Sequence, residues 1–441
     1  MQIRRPVSIR SVAALLLLLG LAFRATAATT DAAPSELLLK LKALPGVVAV
    51  VPTRFDTRVF QEAYEVTFEQ PVDHHEPNGR KFNQRVFVGH AGYDKPVLLE
   101  TEGYAARGLG GGGELQRMLA GNQVTVEHRY FGRSVPSPLD WHYLTVKQAA
   151  NDMHDIVTAL KKIYSGKWVS SGASKGGQTA LFYKCYYPDD VDATVAYVAP
   201  VNVAQEDPRI YQFLQTTGDE ATRTAVKNFQ IALLKHEDEV LPFVKTNADR
   251  QNLTFAMGLP AAFEYGVLEY PYAFWQFGTK PSDVPPADAP IEKLAAHYIR
   301  VRTLYYYSDQ GKKEFEPFLY QAFTEIGYYN YDITDFKPYL KALKDPSNLV
   351  ICPDDAKIVY NPATMAFVYH FLQYEANHVV YIYGDLDAWS ATQMQLIGRT
   401  DAIKIVVKDA HHGARVGAFS PEQKMAFYSN MERWLGLKLA R

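Results

Sequence analysis

Short apolar runs, rich in β-branched residues, recur along the first and last parts of the chain. The clearest are residues 97–101, 123–126, 168–171, 193–198, 379–383 and 403–407. Runs of this length, bounded by turn residues, are typical of strands that are buried on both faces of a sheet. Apolar residues spaced by three and four over 145–163 indicate a helix between two of these runs. The alternation of strands and helices predicts a mostly parallel sheet with helices on both faces.

Two further segments precede these runs. Residues 63–69 and 84–90 are separated by the turn-rich stretch 73–80, so they predict a leading antiparallel pair. Thr145 is followed three residues later by Gln148, which fits a capping box at the start of the helix described above.

The pattern changes in the middle of the chain, where residues 206–374 read as helices with aromatic-rich joins. Because buried-strand runs resume afterwards, we expect one α/β domain, formed by 51–205 and 375–441, that is interrupted by a helical cap at 206–374. The last helix of that domain is marked by Ser420 as its N-cap and Pro421 in its first turn.

Residues 1–27 have the composition of an export signal. A positively charged start precedes an apolar segment at 12–23, and an Ala-Thr-Ala cleavage site ends at Ala27. The apolar segment is too short to span a bilayer comfortably, so we expect a secreted or periplasmic protein with no stable membrane association. The adjacent Arg4 and Arg5 leave export by the general or the twin-arginine route open.

Composition excludes several classes of function. The 441 residues carry a formal charge of −2 without a long basic run, which argues against a nucleic-acid partner. The chain has two cysteines, Cys185 and Cys352, and neither has metal-ligand company, so we expect no metal and no cofactor. In an oxidising compartment the two could form a disulfide, or each could be a buried thiol.

The pentapeptide Gly-Ala-Ser-Lys-Gly at 172–176 follows an apolar run directly and leads into a helix-like segment. In this context G-x-S-x-G is the signature of a sharp strand-to-helix turn that exposes a serine hydroxyl at the edge of a sheet. Gly172 and Gly176 supply the room that such a turn needs, and Ser174 is the candidate nucleophile. The alternative is a glycine-rich turn that is merely capped by a serine.

A serine nucleophile needs a base to accept its proton and a carboxylate to orient that base. In α/β-hydrolases these follow late strands in the order serine, acid, histidine. Here Asp385 and Asp387 follow one late apolar run, and His411 and His412 follow the next. We favour His412, because the glycine after it leaves room for close approach, and Asp387, which lies further round its turn; Asp385 and His411 remain alternatives.

The same fold stabilises the reaction's oxyanion with two backbone amides. The amide of Lys175, directly after the serine, is one candidate. The other comes from the loop after the strand at 97–101, where Gly103 and Tyr104 are the candidates.

Several motifs resemble the secreted prolyl tri- and tetrapeptidyl aminopeptidases, which are serine peptidases with the α/β-hydrolase fold. The resemblance extends over nearly the whole chain from about Val51. The segments that carry it are 172–177, 196–200, 269–276, 383–389 and 412–414. The segment 127–134 is similar to lysosomal prolyl carboxypeptidase and dipeptidyl peptidase II. Ala173 and Ala388 depart from the usual glycine and proline of these families, although both leave the reactive groups in place.

The resemblance implies a serine exopeptidase that releases short peptides from a free amino end, often after proline, and it supports Ser174, Asp387 and His412. Such an enzyme also needs a carboxylate for the substrate ammonium and an apolar slot for proline. Glu102 and Glu127 lie at strand ends and are candidates for the carboxylate. Tyr270, Phe274 and Trp275 are candidates for the slot.

Two other functions fit the same residues. An esterase or lipase would use the same three catalytic groups on another acyl substrate. A hydrolase fold without activity would serve as a binding protein, although the presence of all three groups argues against it.

Overall fold

The computed structural model describes residues 33–110, 112–301 and 303–441. The predicted export signal at 1–27 lies outside these residues. Within them, the strands are β1 Val47–Pro52, β2 Glu62–Pro71, β3 Lys81–His90, β4 Val97–Thr101, β5 Asn122–Val126, β6 Trp168–Ala173, β7 Ala193–Tyr197, β8 Val379–Gly384 and β9 Ala402–Val407.

The helices alternate with the strands at both ends of the chain and follow one another in the middle. They are α1 Glu36–Lys42, α2 Glu114–Leu119, α3 Val146–Leu160, α4 Lys175–Tyr186, α5 Pro208–Thr216, α6 Glu220–Lys235, α7 Glu237–Arg250, α8 Leu259–Phe277, α9 Ile291–Val301, α10 Thr303–Tyr306, α11 Asp309–Gln321, α12 Pro362–Tyr374 and α13 Pro421–Leu435.

All nine strands form a single sheet in the order β1-β2-β3-β5-β4-β6-β7-β8-β9. The first three strands and β5 pair antiparallel, whereas β5, β4, β6, β7, β8 and β9 are parallel neighbours. The predicted antiparallel pair and parallel sheet are both present. Since the carboxyl ends of parallel strands meet at one edge, the loops after β4, β6, β8 and β9 all begin at the same edge of the sheet.

Continuous apolar runs form these strands because helices cover both faces of the sheet. Within β4, Leu99 packs with Ile156 of α3 on one face, and the adjacent Leu98 packs with Met431 of α13 on the other. Successive side chains of a strand point to opposite faces, so both positions must be apolar.

The predicted helix starts are present, with one difference. Ser420 and Gln423 form a complete capping box at the start of α13, with Pro421 in the first turn. At α3 the Thr145 hydroxyl accepts the N–H of Gln148 at 3.1 Å, but the Gln148 amide binds the carboxylate of Asp73 at 2.7 Å instead of closing the box. The side chain is therefore used to tie α3 to the loop after β2.

Helices α5 to α11 form an insertion with its own aromatic core, in which Phe229, Phe263 and Tyr298 are fully buried. Helix α12 lies within the range predicted for the cap, yet Met365 and Leu372 pack with Leu181 of α4 and Tyr381 of β8. Its apolar residues therefore add to the cover over the sheet.

Both cysteines are free, buried thiols. Cys185 packs in the cluster that α4 and α12 form over the sheet, whereas Cys352 lies in the core of the insertion. Burial raises the pKa of Cys352 to about 12. No helix in the described ranges has both the length and the apolarity needed to cross a membrane.

These features define the fold class. Setting aside β1, which is added at the edge, the remaining strands follow the order 1-2-4-3-5-6-7-8, and only the second of them, β3, runs antiparallel to its neighbours. A strand, a serine and a helix follow one another at Trp168–Ala173, Ser174 and Lys175–Tyr186. This is the α/β-hydrolase fold, as the sequence predicts.

Packing of the last helix onto the sheet can be tested with one substitution. Phe427 of α13 is fully buried against the sheet, so Phe427→Ala should lower the free energy of unfolding by about 3–5 kcal/mol. Met425 of the same helix is 67% exposed, and Met425→Ala should change it by less than about 0.5 kcal/mol. Denaturant unfolding of both variants measures the difference; equal losses would contradict the assigned face of α13.

Candidate active site

Ser174 occupies the turn between β6 and α4 with φ 56° and ψ −126°. This left-handed conformation is strained for a residue with a Cβ and persists only where the surroundings hold it. The N–H of Ser174 donates to the carbonyl of Tyr197 at 2.8 Å, and its own carbonyl accepts the N–H of Gln178 at 2.9 Å. The turn is therefore held from the neighbouring strand on one side and by its own helix on the other.

Glycine is required on both sides of this turn because backbones touch there. A Cβ on Gly172 would overlap the carbonyl of Gly176, and a Cβ on Gly176 would lie 2.6 Å from the carbonyl oxygen of Thr101. The Thr101 hydroxyl lies 2.8 Å from the carbonyl oxygen of Gly176 and 3.1 Å from that of Ser171. The end of β4 is thereby joined to the serine turn.

Asp387 and His412 form a close pair at the same edge. Asp387 follows β8 and is fully buried, and its Oδ2 lies 2.8 Å from Nδ1 of His412, which follows β9. Asp387 Oδ1 accepts the N–H of Trp389 at 3.3 Å. A carboxylate on Nδ1 keeps the proton there and leaves Nε2 as the acceptor, which is the tautomer that a general base needs.

The two neighbouring residues have other partners. Asp385 Oδ1 accepts the N–H of Ala410 at 3.2 Å and so ties the loop after β8 to the loop after β9. His411 is exposed, accepts the N–H of Gly413 on its Nδ1 at 3.2 Å, and packs on Gly278 of the insertion. These contacts favour Asp387 and His412 over Asp385 and His411 as the acid and the base.

A cavity of about 750 Å³ opens above Ser174, between the sheet edge and the insertion. Ser174, Lys175 and Tyr104 line it from the sheet side, and α8 lines it from above. Gln276, in the last turn of α8, lines the cavity and accepts the backbone N–H of His412 at 3.1 Å. The His412 loop is thus attached to the roof of the cavity that contains Ser174.

The candidate oxyanion residues lie close together where Lys175 and Tyr104 line this cavity. A Cβ on Gly103 would lie 2.6 Å from Cβ of Lys175 and 2.7 Å from the backbone nitrogen of Gly176, so only glycine permits this approach. The carbonyl of Tyr104 accepts the N–H of His128 at 3.2 Å, which ties the loop to the end of β5. The backbone of the 103–104 loop therefore lies against the first turn of α4, where free N–H groups are available.

Glu127 is fully buried and has its acceptor sites filled. Its carboxylate accepts the N–H groups of Ala106 and Arg133, each at 2.9 Å, and the hydroxyl of Ser134 at 2.8 Å, and it pairs with the guanidinium of Arg85. A carboxylate with this many donors has no site left for a ligand. These contacts indicate that Glu127 braces the loop after β5.

Glu102 lies in a second cavity of about 640 Å³ that shares Tyr104 and Phe315 with the first. Burial raises the pKa of Glu102 to about 7, with the carboxylate of Glu127 adding to the effect and Arg107 opposing it. The ring of Tyr104 thus forms part of a wall between Glu102 and the cavity above Ser174.

The aromatic candidates on α8 lie in the core of the insertion. The hydroxyl of the fully buried Tyr270 lies 2.7 Å from Nε2 of His297. Phe274 packs edge-on against Trp275, and Trp275 lines a different cavity beside Tyr272. Other aromatic side chains line the cavity above Ser174: Tyr104, Tyr305, Tyr306, Phe277, Phe315, Phe318, Tyr328 and Trp389.

Glu269 is a cavity residue whose role the sequence patterns described above do not predict. Glu269 of α8 lines the cavity together with Ala273 and Gln276, which follow it by four and seven residues on one helix face. It is one of two acidic residues in an otherwise uncharged aromatic helix; the other, Glu264, accepts backbone N–H groups of residues 341–343. The i, i+4, i+7 spacing of polar and small residues was the available signal.

The profile of the PS-10 peptidase S37 family matches residues 36–441. The chain belongs to this family. It is therefore a serine peptidase, and peptides are its substrates.

The chain is also similar in sequence to two named peptidases. The S37 peptidase is 30% identical over 450 residues to the prolyl tri/tetrapeptidyl aminopeptidase of Streptomyces mobaraensis, an alignment that covers 98% of this chain and 92% of the relative. It is 30% identical over 206 residues to human lysosomal Pro-X carboxypeptidase, covering 42% and 40% of the two chains. A solved proline iminopeptidase from Mycobacterium smegmatis aligns over 84% of this chain and 97% of its own, with 12% identity and a TM-score of 0.36.

The side chain of Lys175 is a buried amine beside the cavity above Ser174 of this S37 peptidase. Its ammonium group lies 5.7 Å from the ring centre of Tyr104 and 5.3 Å from that of Phe131. Burial lowers the pKa of Lys175 to about 7. The aromatic faces offset part of the cost of removing the charged form from water.

This shift makes the stability of the S37 peptidase depend on pH. In the unfolded chain Lys175 keeps its ordinary pKa, so the unfolded state binds more protons between about pH 7 and pH 10.5 and stability rises with pH across that range. The penalty is complete below pH 7. Lys175→Met removes the titrating group and keeps the backbone amide, so it should raise the free energy of unfolding by up to about 4 kcal/mol at pH 7 and by much less near pH 10.

Denaturant unfolding at several pH values measures this difference. Taking wild type minus variant cancels the other groups that titrate in the same range. If the free energies of unfolding of wild type and Lys175→Met changed with pH in parallel, the claim that burial of the Lys175 amine is poorly compensated would be contradicted.

Proposed function

We propose that this peptidase is exported and that it releases tri- or tetrapeptides from the free amino end of its substrates, with a preference for cleavage after proline. The name of the Streptomyces mobaraensis relative, which matches this chain over 98% of its length, supports this activity. The composition of residues 1–27 supports export to the periplasm or the medium.

Ser174 is the proposed nucleophile. His412 takes the proton from the Ser174 hydroxyl as it attacks the scissile carbonyl, and then gives it to the leaving amine. Asp387 holds His412 in the required tautomer and stabilises its charged form. Water then hydrolyses the acyl-enzyme by the same route. The observation that carries this proposal is the 2.8 Å pair of the buried Asp387 with His412 at the sheet edge where the strained Ser174 turn lies.

The oxyanion of each tetrahedral intermediate is stabilised by backbone amides. Lys175 supplies one from the first turn of α4, and Gly103 or Tyr104 supplies the other. The close approach of Gly103 to Lys175 supports this pairing, because it places the 103–104 loop against the first turn of α4. Preorganised amides need no rearrangement during the reaction.

The insertion explains an exopeptidase better than an endopeptidase. The roof helix α8 is attached to the His412 loop through the carbonyl of Gln276, so the insertion lies over the cavity that contains Ser174. The aromatic rings at the cavity wall, among them Tyr104, Phe318 and Trp389, offer an apolar slot for the proline ring.

Loss of the nucleophile is the first test. Ser174→Ala should lower kcat toward a tripeptidyl anilide with proline before the cleaved bond by on the order of 10⁶, with an unchanged unfolding transition. A fluorophosphonate should label the wild-type protein and not the variant. Retention of most of the peptidase activity by Ser174→Ala would exclude this nucleophile.

The acid and the base can be tested against their neighbours. Asp387→Asn should lower kcat by about 10⁴, because the amide favours the wrong tautomer of His412. The matched Asp385→Asn variant, which loses only a loop contact, should keep kcat within about tenfold of wild type. His412→Ala and His411→Ala form the second matched pair. If kcat fell further in Asp385→Asn and His411→Ala than in Asp387→Asn and His412→Ala, Asp385 would be the acid and His411 the base.

The substrate class is tested with the wild-type protein. We expect turnover of free tripeptidyl anilides, slower turnover of their acetylated forms, and a product of three or four residues by mass spectrometry. Turnover of p-nitrophenyl esters without any anilide cleavage would favour an esterase, and absence of fluorophosphonate labelling in folded protein would favour an inactive binding protein.

A further inference from the structure

The carboxylate of Glu269 projects from the roof of the active-site cavity. Glu269, Ala273 and Gln276 lie on the face of α8 that lines this cavity. Ala273 leaves space beside the carboxylate, and Gln276 contacts the His412 loop. The same helix face therefore carries an anion at one point and the attachment to the proposed base two turns later.

Helix α8 holds this position despite a proline in its interior. Pro271 has no N–H to donate to the carbonyl of Val267, one turn earlier. The side-chain amide of Gln230, on α6, donates to that carbonyl instead, at 2.7 Å. The hydrogen bond that Val267 loses because of Pro271 is thus replaced by one from α6. The helix next to Glu269 keeps its place, and so does the carboxylate.

Tyrosine hydroxyls surround the Glu269 carboxylate. Tyr329 donates to Oε1 at 2.6 Å, and Tyr331 donates to Oε2 at 2.7 Å. Tyr307 lies 3.3 Å from Oε2 and shares its hydroxyl with Tyr331 and Asn348. A carboxylate has about four acceptor positions, so Oε1 keeps one of its two for another donor.

The ion pairs among the described residues do not include Glu269. Burial raises its pKa to about 7, and the three tyrosine hydroxyls only partly offset this effect. The carboxylate is thus held in a defined place, partly open to the cavity, with hydrogen bonds that favour the anion and no cation to complete it. A ligand with a positive charge and several N–H donors would complete the site.

We infer that Glu269 binds the α-ammonium group of the substrate's first residue. The inference rests on the proposed function, because it assumes that peptides enter this cavity with a free amino end. A carboxylate at a fixed place in the cavity also sets how many residues lie between the bound amino end and Ser174, because each extended residue spans about 3.3–3.6 Å. Glu269 is therefore a specificity-determining residue, and it replaces Glu127, whose acceptor positions are filled.

Other acidic groups suit this role less well. Glu102 opens into the second cavity, beyond the ring of Tyr104. Asp283 lines the active-site cavity but is exposed at its rim, in the same lining as Lys280 and Arg300. An exposed carboxylate keeps its hydration, and nearby cations repel an ammonium group.

The test uses pairs of tripeptidyl anilides that differ only in the α-amino group, one free and one replaced by hydrogen. We expect the wild-type protein to prefer the free amine in kcat/KM. Glu269→Gln has the same shape without the charge, and it should lower this preference by about 10- to 150-fold. Its kcat/KM toward the desamino substrate should stay within about threefold of wild type. Glu292→Gln, an exposed residue of α9, serves as the surface control and should keep the preference.

Glu269→Asp covers the case in which the Gln variant does not fold. It keeps the negative charge to which the tyrosines donate and moves that charge back by one methylene. It should therefore lower the preference for the free amine by a smaller factor than Glu269→Gln does. A preference that survives intact in a folded Glu269→Gln or Glu269→Asp variant would overturn the inference, and so would loss of the preference in Glu102→Gln alone. A merely structural role would lower activity on both substrates equally and would also overturn it.

The outcomes also separate this inference from the proposed function. If the wild-type protein cleaves both substrates equally well, the proposed aminopeptidase activity fails and Glu269 has no ammonium to bind. If the wild type discriminates and Glu269→Gln does so equally, the activity stands and only the role of Glu269 fails.

Discussion

Contact between backbones at the carboxyl edge of the sheet is the constraint on which the rest of the structure depends. Gly172, Gly176 and Gly103 lack a Cβ where a Cβ would collide with the backbone of a neighbouring loop. This packing holds Ser174 at φ 56° and brings the loop after β4 against the first turn of α4. The same packing holds the strained serine turn and places the loop with the proposed oxyanion amides beside it.

The carboxylates around this edge differ in their hydrogen-bond partners, and these partners determine what each carboxylate is able to do. Glu127 and Asp387 are both fully buried. Glu127 is surrounded by donors from its own loop and serves only to shape it. Asp387 faces one imidazole, and Glu269 faces hydroxyls and a cavity. Burial alone therefore does not distinguish these carboxylates, whereas their hydrogen-bond partners do.

The sequence predicts the sheet and the elements that carry chemistry, because strand runs, the G-x-S-x-G turn and the order of acid and base are local patterns. It does not predict what long-range packing decides. Helix α12 carries an apolar face like the cap helices, and only its contacts assign it to the sheet. Glu102 and Glu127 follow strands as a ligand-binding residue would, yet one is walled off by Tyr104 and the other is enclosed. Glu269 is one of two acidic residues in an aromatic helix, and the tyrosines around it come from residues 38 to 62 positions away.

The proposed mechanism requires that groups far apart in the chain converge on one reacting carbon at this edge. A crystal structure with a tripeptide boronate that carries a free amino end tests it most directly. The account predicts a tetrahedral boron bonded to Oγ of Ser174, one boronate oxygen at the amide of Lys175, and Nε2 of His412 within hydrogen-bond distance. A boronate bonded to another residue, or a His412 ring turned away from the adduct, would contradict it.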